Sequence, residues 1–259
     1  DVDHHAALEA ARSSGLPSGR LASPGKAPSD EITRELLAAG RLLALAEDTM
    51  TERNLRIARA AGCRVHVAHV STRASLDAVR RAKADSLSSG GFSVTCEATP
   101  HHLALTEALP EIVNPPLRSD QDREALIAGI LDGTVDAIAT AHAPHTADDK
   151  ASGAPGFSGI EIAAATAHTA LVATGMIGLG KLSALMAANP AAILGLPRGL
   201  LRSGFDADFI IFDPSARFTV DPASGEWHSR GKNTPLAGAT LSGVVRATYK
   251  RGVKVYERD

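Results

Sequence analysis

The sequence predicts an α/β protein built on a parallel sheet, with a small β appendage at its end. Two observations predict it. Between residues 32 and 140, helix-like stretches with apolar residues every three or four positions alternate with short runs of branched apolar residues. Strands that alternate with helices pair in parallel, and such sheets carry their chemistry at the C-terminal strand ends. After about Gly204 the texture changes to short β runs separated by Gly, Pro and Asn.

Residues 15–31 are dense in Gly, Pro and Ser, which hold neither a helix nor a ladder, and read as an extended surface loop. From Ile32 the pattern is helical, with Leu36, Leu37, Leu42, Leu43, Leu55, Ile57 and Ala58 giving partial apolar faces as far as Gly62, a helix stop. Residues 64–70 read as a strand, 75–83 as a helix with Leu76, Val79 and Ala82 on one face, and 92–96 as the next strand. Ser119, followed three residues later by Asp122, predicts a capping box opening a helix over 123–131, with Leu126, Ile127, Ile130 and Leu131 facing the core. Residues 135–140 are the strand that follows, and 207–212, 244–250 and 253–256 are the β runs of the appendage. The expected division is 1–200 for the α/β part and 201–259 for the β segments.

Composition excludes several classes of function. Lys and Arg number 27 against 29 Asp and Glu, a formal net charge of −2, which argues against nucleic acid as a partner. Hydrophobic residues at 44% and charged residues at 22% are ordinary globular usage, so disorder and fibrous repeats find no support. Cys63 and Cys96 are too few for a disulfide framework and point to a reducing compartment, the cytosol, although they leave one bridge open. The sequence has no apolar run long enough for a membrane span, and Asp1 to His5 lack the basic start of a signal peptide. A soluble protein with no membrane partner is expected.

Seven of the histidines lie at 66, 69, 101, 102, 142, 145 and 168, and three clusters of them fall at predicted strand ends. Neutral imidazoles at the mouth of a parallel sheet are natural zinc ligands. His66 and His69 sit three apart on a strand and so should point to opposite faces, and His69, nearer the strand end, is the one expected at the mouth. For His101 and His102 a polar turn after Pro100 competes with ligation. Between Asn114 and Arg118, two prolines stiffen a loop whose flanking Asn and Arg can present forked hydrogen bonds to a planar, anionic ligand.

Taken together, HVAHVST (66–72), VTCEATPHHLALT (94–106), VNPPLR (113–118), HAPH (142–145) and APGFSGIE (154–161) resemble dihydroorotase, of the cyclic amidohydrolase family. NPAAILGL (189–196), GFDADFIIFDP (204–214) and KNTPLAG (232–238) resemble that family's last helix and the β segments of its second domain. The resemblance implies a metal-dependent (β/α)8 TIM-type barrel, with the segments after 200 contributing to a composite β-sandwich. It implies an enzyme of pyrimidine synthesis that interconverts carbamoyl-aspartate and dihydroorotate. In such an enzyme Zn2+ supplies a hydroxide near neutral pH and polarises the ring carbonyl, while a strand-end aspartate shuttles the proton. Carried onto this chain, His69 matches a zinc ligand, Asn114 the asparagine on the dihydropyrimidine ring, and His145 the carboxylate-binding residue. Pro155 and Gly156 match the loop whose backbone meets the ring amide, and His5 is a further candidate ligand. A homo-oligomer is expected.

Three departures qualify the resemblance. The family's strand-end motif is Asp-His-Ala-Pro-His, and here its first residue is Ala141, which can neither ligate a metal nor carry a proton. The loss of such a group costs about 10²–10⁴-fold in rate. The family's His-x-His-x-Arg on the first barrel strand has no counterpart, so the resemblance places the first barrel strands upstream of Asp1 and predicts an incomplete barrel. Residues 85–91 read as a longer turn than the family's. Two functions follow as expectations: a dihydroorotase pocket that is inactive as written, or a non-catalytic scaffold that binds aspartate transcarbamoylase.

Overall fold

The computed structural model describes residues 30–109 and 111–258. Residues 15–29 of the predicted loop, and His5, lie outside them. Helix α1 (Asp30–Ala61) buries Ala39, Leu43, Thr51, Leu55 and Ala58, one face at steps of three, four and eight residues, while Leu42 and Ile57 face solvent. Gly62 ends it with φ 62°, a left-handed value that a side chain would resist.

Strand β1 (Arg64–Val67), helix α2 (Arg73–Ser89) and strand β2 (Ser93–Ala98) form the expected β-α-β unit. Thr72 caps α2, its hydroxyl accepting from Ser75 N at 3.1 Å. The helix runs past Lys83 to Ser89, so the predicted long turn shrinks to Gly90 and Gly91, at φ 67° and 82°. Short helix α3 (Pro100–Ala104) follows, then α4 (Asp120–Asp132). Ser119 does cap α4, accepting from Asp122 N at 3.2 Å, and the helix opens three residues before 123. The reciprocal half of the capping box is absent: Asp122 Oδ1 instead accepts from Arg73 N at 2.9 Å, tying α4 to the start of α2.

Strand β3 (Ala137–Ile138) is shorter than predicted. The sheet is parallel in the order β1-β2-β3, with Arg64 opposite Ser93 and Glu97 opposite Ala137. Its buried side chains Val94, Cys96 and Ala98 pack with Leu76, Val79, Leu103, Leu126, Ile130, Leu171 and Leu185 into the main core. Burial pushes the Cys96 thiol up to about 12, and both cysteines are free thiols, so there is no bridge between them.

Helix α5 (Ala147–Ala151) comes next, and α6 (Ala163–Ala167) continues into a π turn, His168–Val172. Helix α7 (Leu179–Ser183) joins α8 (Asn189–Leu194) through a second π turn, Ala184–Ala188. Strands β4 (Phe209–Thr219), β5 (Thr240–Lys250) and β6 (Val253–Glu257) form one antiparallel sheet in that order. Among the described residues these segments form a single sheet. Ile162 and Ala165 bury against Val220 and Leu241, joining the helical layer to this sheet. Among the described residues, no helix is long and apolar enough to cross a membrane.

Candidate active site

Position 69 is where the sequence reading needs correction. Strand β1 stops at Val67, and His69 lies beyond it in a left-handed conformation, φ 54°, so strand alternation no longer governs its direction. His66 and His69 converge on one carboxylate instead of opposing each other. His66 Nε2 lies 3.2 Å from Glu97 Oε2 and its Nδ1 lies 2.8 Å from Thr95 Oγ1. His69 Nδ1 lies 2.8 Å from Glu97 Oε1. Burial raises the Glu97 carboxyl, but the two imidazoles outweigh it and bring it down to about 2.

His101 and His102 are not a polar turn; both are buried on α3. Thr99 caps that helix and its hydroxyl lies 2.7 Å from His102 Nδ1. His102 Nε2 lies 3.1 Å from both Pro115 O and Pro116 O. Carbonyls only accept, so Nε2 carries the proton and Nδ1 accepts from Thr99. Burial holds His102 neutral, with its pKa down at about 4. Its role is to clamp the loop that carries Asn114, where the Asn114–Pro115 bond is cis. His101 is pushed well below the usual imidazole range, chiefly by burial and further by the neighbouring imidazoles of His102 and His69, and its Nε2 has no hydrogen-bond partner.

Arg118 is not available to a ligand. It is 5% exposed, and its guanidinium donates to Ser71 Oγ at 2.9 Å, Gly40 O at 2.6 Å and Glu47 Oε2 at 3.1 Å. Glu47 also accepts from Ser71 N at 2.8 Å, so the pair pins α1 to the start of α2. Asn114, in contrast, is exposed.

After β3 the chain turns at Ala141, which has φ 44°. His142 bridges to Phe157 in parallel, and Ala143 N donates to Phe157 O at 2.8 Å, so residues 142–145 run alongside the loop 154–158. His142 Nδ1 accepts from Gly159 N at 3.1 Å and Ile160 N at 3.3 Å, which makes it a structural acceptor. His145 Nε2 donates to Pro155 O at 3.0 Å. The nitrogen left for an anionic ligand is Nδ1, which carries a proton only in the imidazolium form. Gly156, at φ 134°, has no room for a side chain: a Cβ there would lie 2.4 Å from Ala143 Cβ. Its N–H donates to Ile112 O at 3.0 Å, and its carbonyl accepts from Lys150 Nζ at 3.1 Å and Asn233 Nδ2 at 3.0 Å. Both polar groups of Gly156 are therefore spent, and of this dipeptide Pro155 O keeps a lone pair for a ligand.

Sequence reasoning missed three residues here. Glu97 joins His66 to His69, Asn233 joins the 142–145 segment to the 154–158 loop, and Lys150 fastens that loop to Ile112. Glu97 and Asn233 lie within the quoted motifs, but nothing in one sequence marks which residue of a motif bridges two segments. A lysine in a short helix carries no signal at all until its burial is known.

Zinc was expected from the resemblance. His101 Nε2, buried and without a hydrogen-bond partner, is a nitrogen of the kind zinc binds, whereas His69 Nδ1 is turned onto Glu97 Oε1. Among the described residues, however, no group of three His, Cys, Asp or Glu is arranged to hold a metal ion, and Ala141 contributes no donor. These residues do not fit a zinc centre by themselves.

Residues 28–255 match the amidohydrolase family, and the chain belongs to it. Within that family it is dihydroorotase-like. It is 46% identical over 224 residues to the dihydroorotase of Caldanaerobacter subterraneus subsp. tengcongensis, covering 83% of this chain and 50% of that protein. The dihydroorotase of Syntrophus aciditrophicus is 42% identical over 254 residues (94% and 56%), and that of Bacillus caldolyticus 40% over 263 residues (98% and 60%). The chain spans about half the length of these curated relatives. Among solved structures it is similar to the L-hydantoinase of Arthrobacter aurescens, with a TM-score of 0.75 at 23% identity, covering 99% of this chain and 55% of that one. The dihydropyrimidinase of Brevibacillus agri NCHU1002 superposes with a TM-score of 0.74 at 19% identity, with the same coverage. The fold is thus the barrel type of the metal-dependent hydrolases, of which the described residues hold three parallel strands.

Proposed function

We propose that this chain carries part of a dihydroorotase pocket, for the interconversion of carbamoyl-aspartate and dihydroorotate in cytoplasmic pyrimidine synthesis, and that it is inactive as written. The observation that carries the reading is the convergence of three segments. Gly156 N donates to Ile112 O, two residues before Asn114, and His145 Nε2 donates to Pro155 O, so Asn114, His145, Pro155 and Gly156 belong to one site. Asn114 would meet the ring edge, His145 the carboxylate and Pro155 O the ring N–H. Ala141, at the strand end beside His142, has no atom that can take or give a proton, and this is the reason for inactivity. His69 remains the candidate metal ligand. In this reading residues 1–200 belong to the barrel and 201–259 to the second domain.

The test is metal content and turnover of dihydroorotate, measured for the chain and for Ala141→Asp side by side with added zinc. The chain itself should show no turnover above a metal-free control. Zinc and turnover gained by Ala141→Asp would support a pocket disabled at one residue; turnover by the parent chain would overturn the inactivity.

One observation favours a second reading, a scaffold for aspartate transcarbamoylase: among the described residues no metal-holding group of three is assembled. Co-sedimentation with aspartate transcarbamoylase, together with metal-free and inert Ala141→Asp, would favour the scaffold.

A further inference from the structure

Lys150 is 3% exposed, a rare state for a lysine. It sits on α5, which is opened by a reciprocal cap: Thr146 Oγ1 accepts from Asp149 N at 3.1 Å and Asp149 Oδ2 from Thr146 N at 3.0 Å. An ammonium has three donors. Here they go to Ile112 O at 3.0 Å, Ala154 O at 2.8 Å and Gly156 O at 3.1 Å. Burial lowers the Lys150 pKa, and the charge of Glu111 opposes this.

Those carbonyls belong to two segments that the fold brings together from different places. Ile112 leads into Asn114, and Ala154 and Gly156 flank Pro155. Each end of the linkage is doubly held. Ile112 O accepts from both Lys150 and Gly156 N, and Gly156 O accepts from both Lys150 and Asn233 Nδ2. With every donor satisfied, Lys150 is neither a base nor a nucleophile, and what it sets is geometry.

We propose that Lys150 is a positioning residue: its ammonium fixes the distance between the Asn114 loop and the Pro155–Gly156 loop, and so the width of the slot that receives a planar cyclic amide. The proposal rests on the pocket reading above for the identity of the ligand, but not for the linkage itself. A charge-free side chain of similar length cannot satisfy three converging carbonyls. A planar guanidinium fork cannot converge on them either.

The test compares the chain with Lys150→Met and Lys150→Arg. Amide hydrogen exchange without ligand comes first. In both variants Gly156 N–H should exchange at least about tenfold faster, while Val70 N–H, bonded to Glu97 O in the core, stays within about twofold. Unchanged exchange at Gly156 overturns the linkage, and should Lys150→Met fail to fold, Lys150→Arg decides it.

Calorimetric titration with dihydroorotate and with succinate, which lacks the ring amide, comes second. Lys150→Met should weaken dihydroorotate about tenfold or more and succinate less than twofold. Equal weakening of both, or of neither, overturns the positioning role. If the parent chain binds neither probe, the pocket reading fails, and the exchange result alone decides what Lys150 holds.

Discussion

Asn233 Oδ1 accepts a hydrogen bond from the backbone N–H of His145 at 3.0 Å, across 88 residues of chain. The same oxygen accepts from Ser158 Oγ at 2.7 Å, and Nδ2 donates to Ala143 O and Gly156 O, each at 3.0 Å. One side-chain amide thus fills all its bonding positions and fastens the segment after Ala141 to the loop that faces it. Removing it leaves several part-buried groups without partners. Asn233→Ala should therefore lower stability by about 2–3 kcal/mol, read as the midpoint of urea unfolding. Asn233→Asp keeps the acceptor side but cannot donate to Ala143 O and Gly156 O, so it should recover only part of the loss; full recovery would contradict the assignment of the amide.

Ala141 has φ 44°, a conformation that costs an ordinary L-residue about 1–2 kcal/mol and that Asp, Asn and Gly tolerate better. The backbone here suits a short polar side chain that the sequence does not supply. Ala141→Gly should raise stability by about 1 kcal/mol, and Ala141→Asp should be no less stable than the parent. A clear loss of stability in both variants, measured by equilibrium unfolding, would show that the strand end is not strained at this position.

Protonation of His102 couples the Asn114 loop to pH. Its folded pKa, about 4, lies below the ordinary imidazole value of 6.5, because burial disfavours the imidazolium. The unfolded chain then binds more protons than the folded one between those values, so stability is full above about pH 6.5 and falls as pH drops towards 4. Glu97, held down at about 2 from 4.5, acts in a lower window: its stabilisation is present above 4.5 and lost as pH falls towards 2. Thermal unfolding followed from pH 7 to pH 3 should show His102→Gln losing part of the slope between 6.5 and 4 and keeping the slope below 4.5. An unchanged slope between 6.5 and 4 would place the titrating group elsewhere.

Arg118 and Glu47 form a pair whose side chains are 5% and 14% exposed, 3.1 Å apart. Breaking a buried pair by removing one partner strands the other charge, which typically costs about 3–5 kcal/mol. Arg118→Met should cost about that much in guanidinium denaturation. Arg118→Lys, which cannot reach Ser71, Gly40 and Glu47 together from a single ammonium, should retain less than half of the interaction. If Arg118→Met were neutral, the guanidinium would not be what pins α1 to α2.

The elements written in local pattern were legible in the sequence. The stripe of α1, the β-α-β unit around residues 64–96, the Ser119 cap and the β runs after Gly204 all follow from spacing that a few neighbouring residues determine. The motifs that mark the family were equally legible, because each is short and contiguous. Element ends were less so. Helix α2 absorbed most of a stretch that reads as a turn: Ser88 Oγ donates to Asp85 O within the helix, and Ser86 Oγ donates to Phe92 O, a bond available only once the chain has turned towards the next strand.

The sequence by itself determined the fold class, the family motifs and an alanine, with no acidic group, at 141. The tertiary structure decided which residues meet. His66 and His69 share Glu97 because β1 ends early, Arg118 is spent on Glu47, and Lys150 and Asn233 converge on one carbonyl of Gly156. These are contacts between segments far apart in the chain, and long-range hydrogen bonds have no period, cap or spacing that a local pattern can carry.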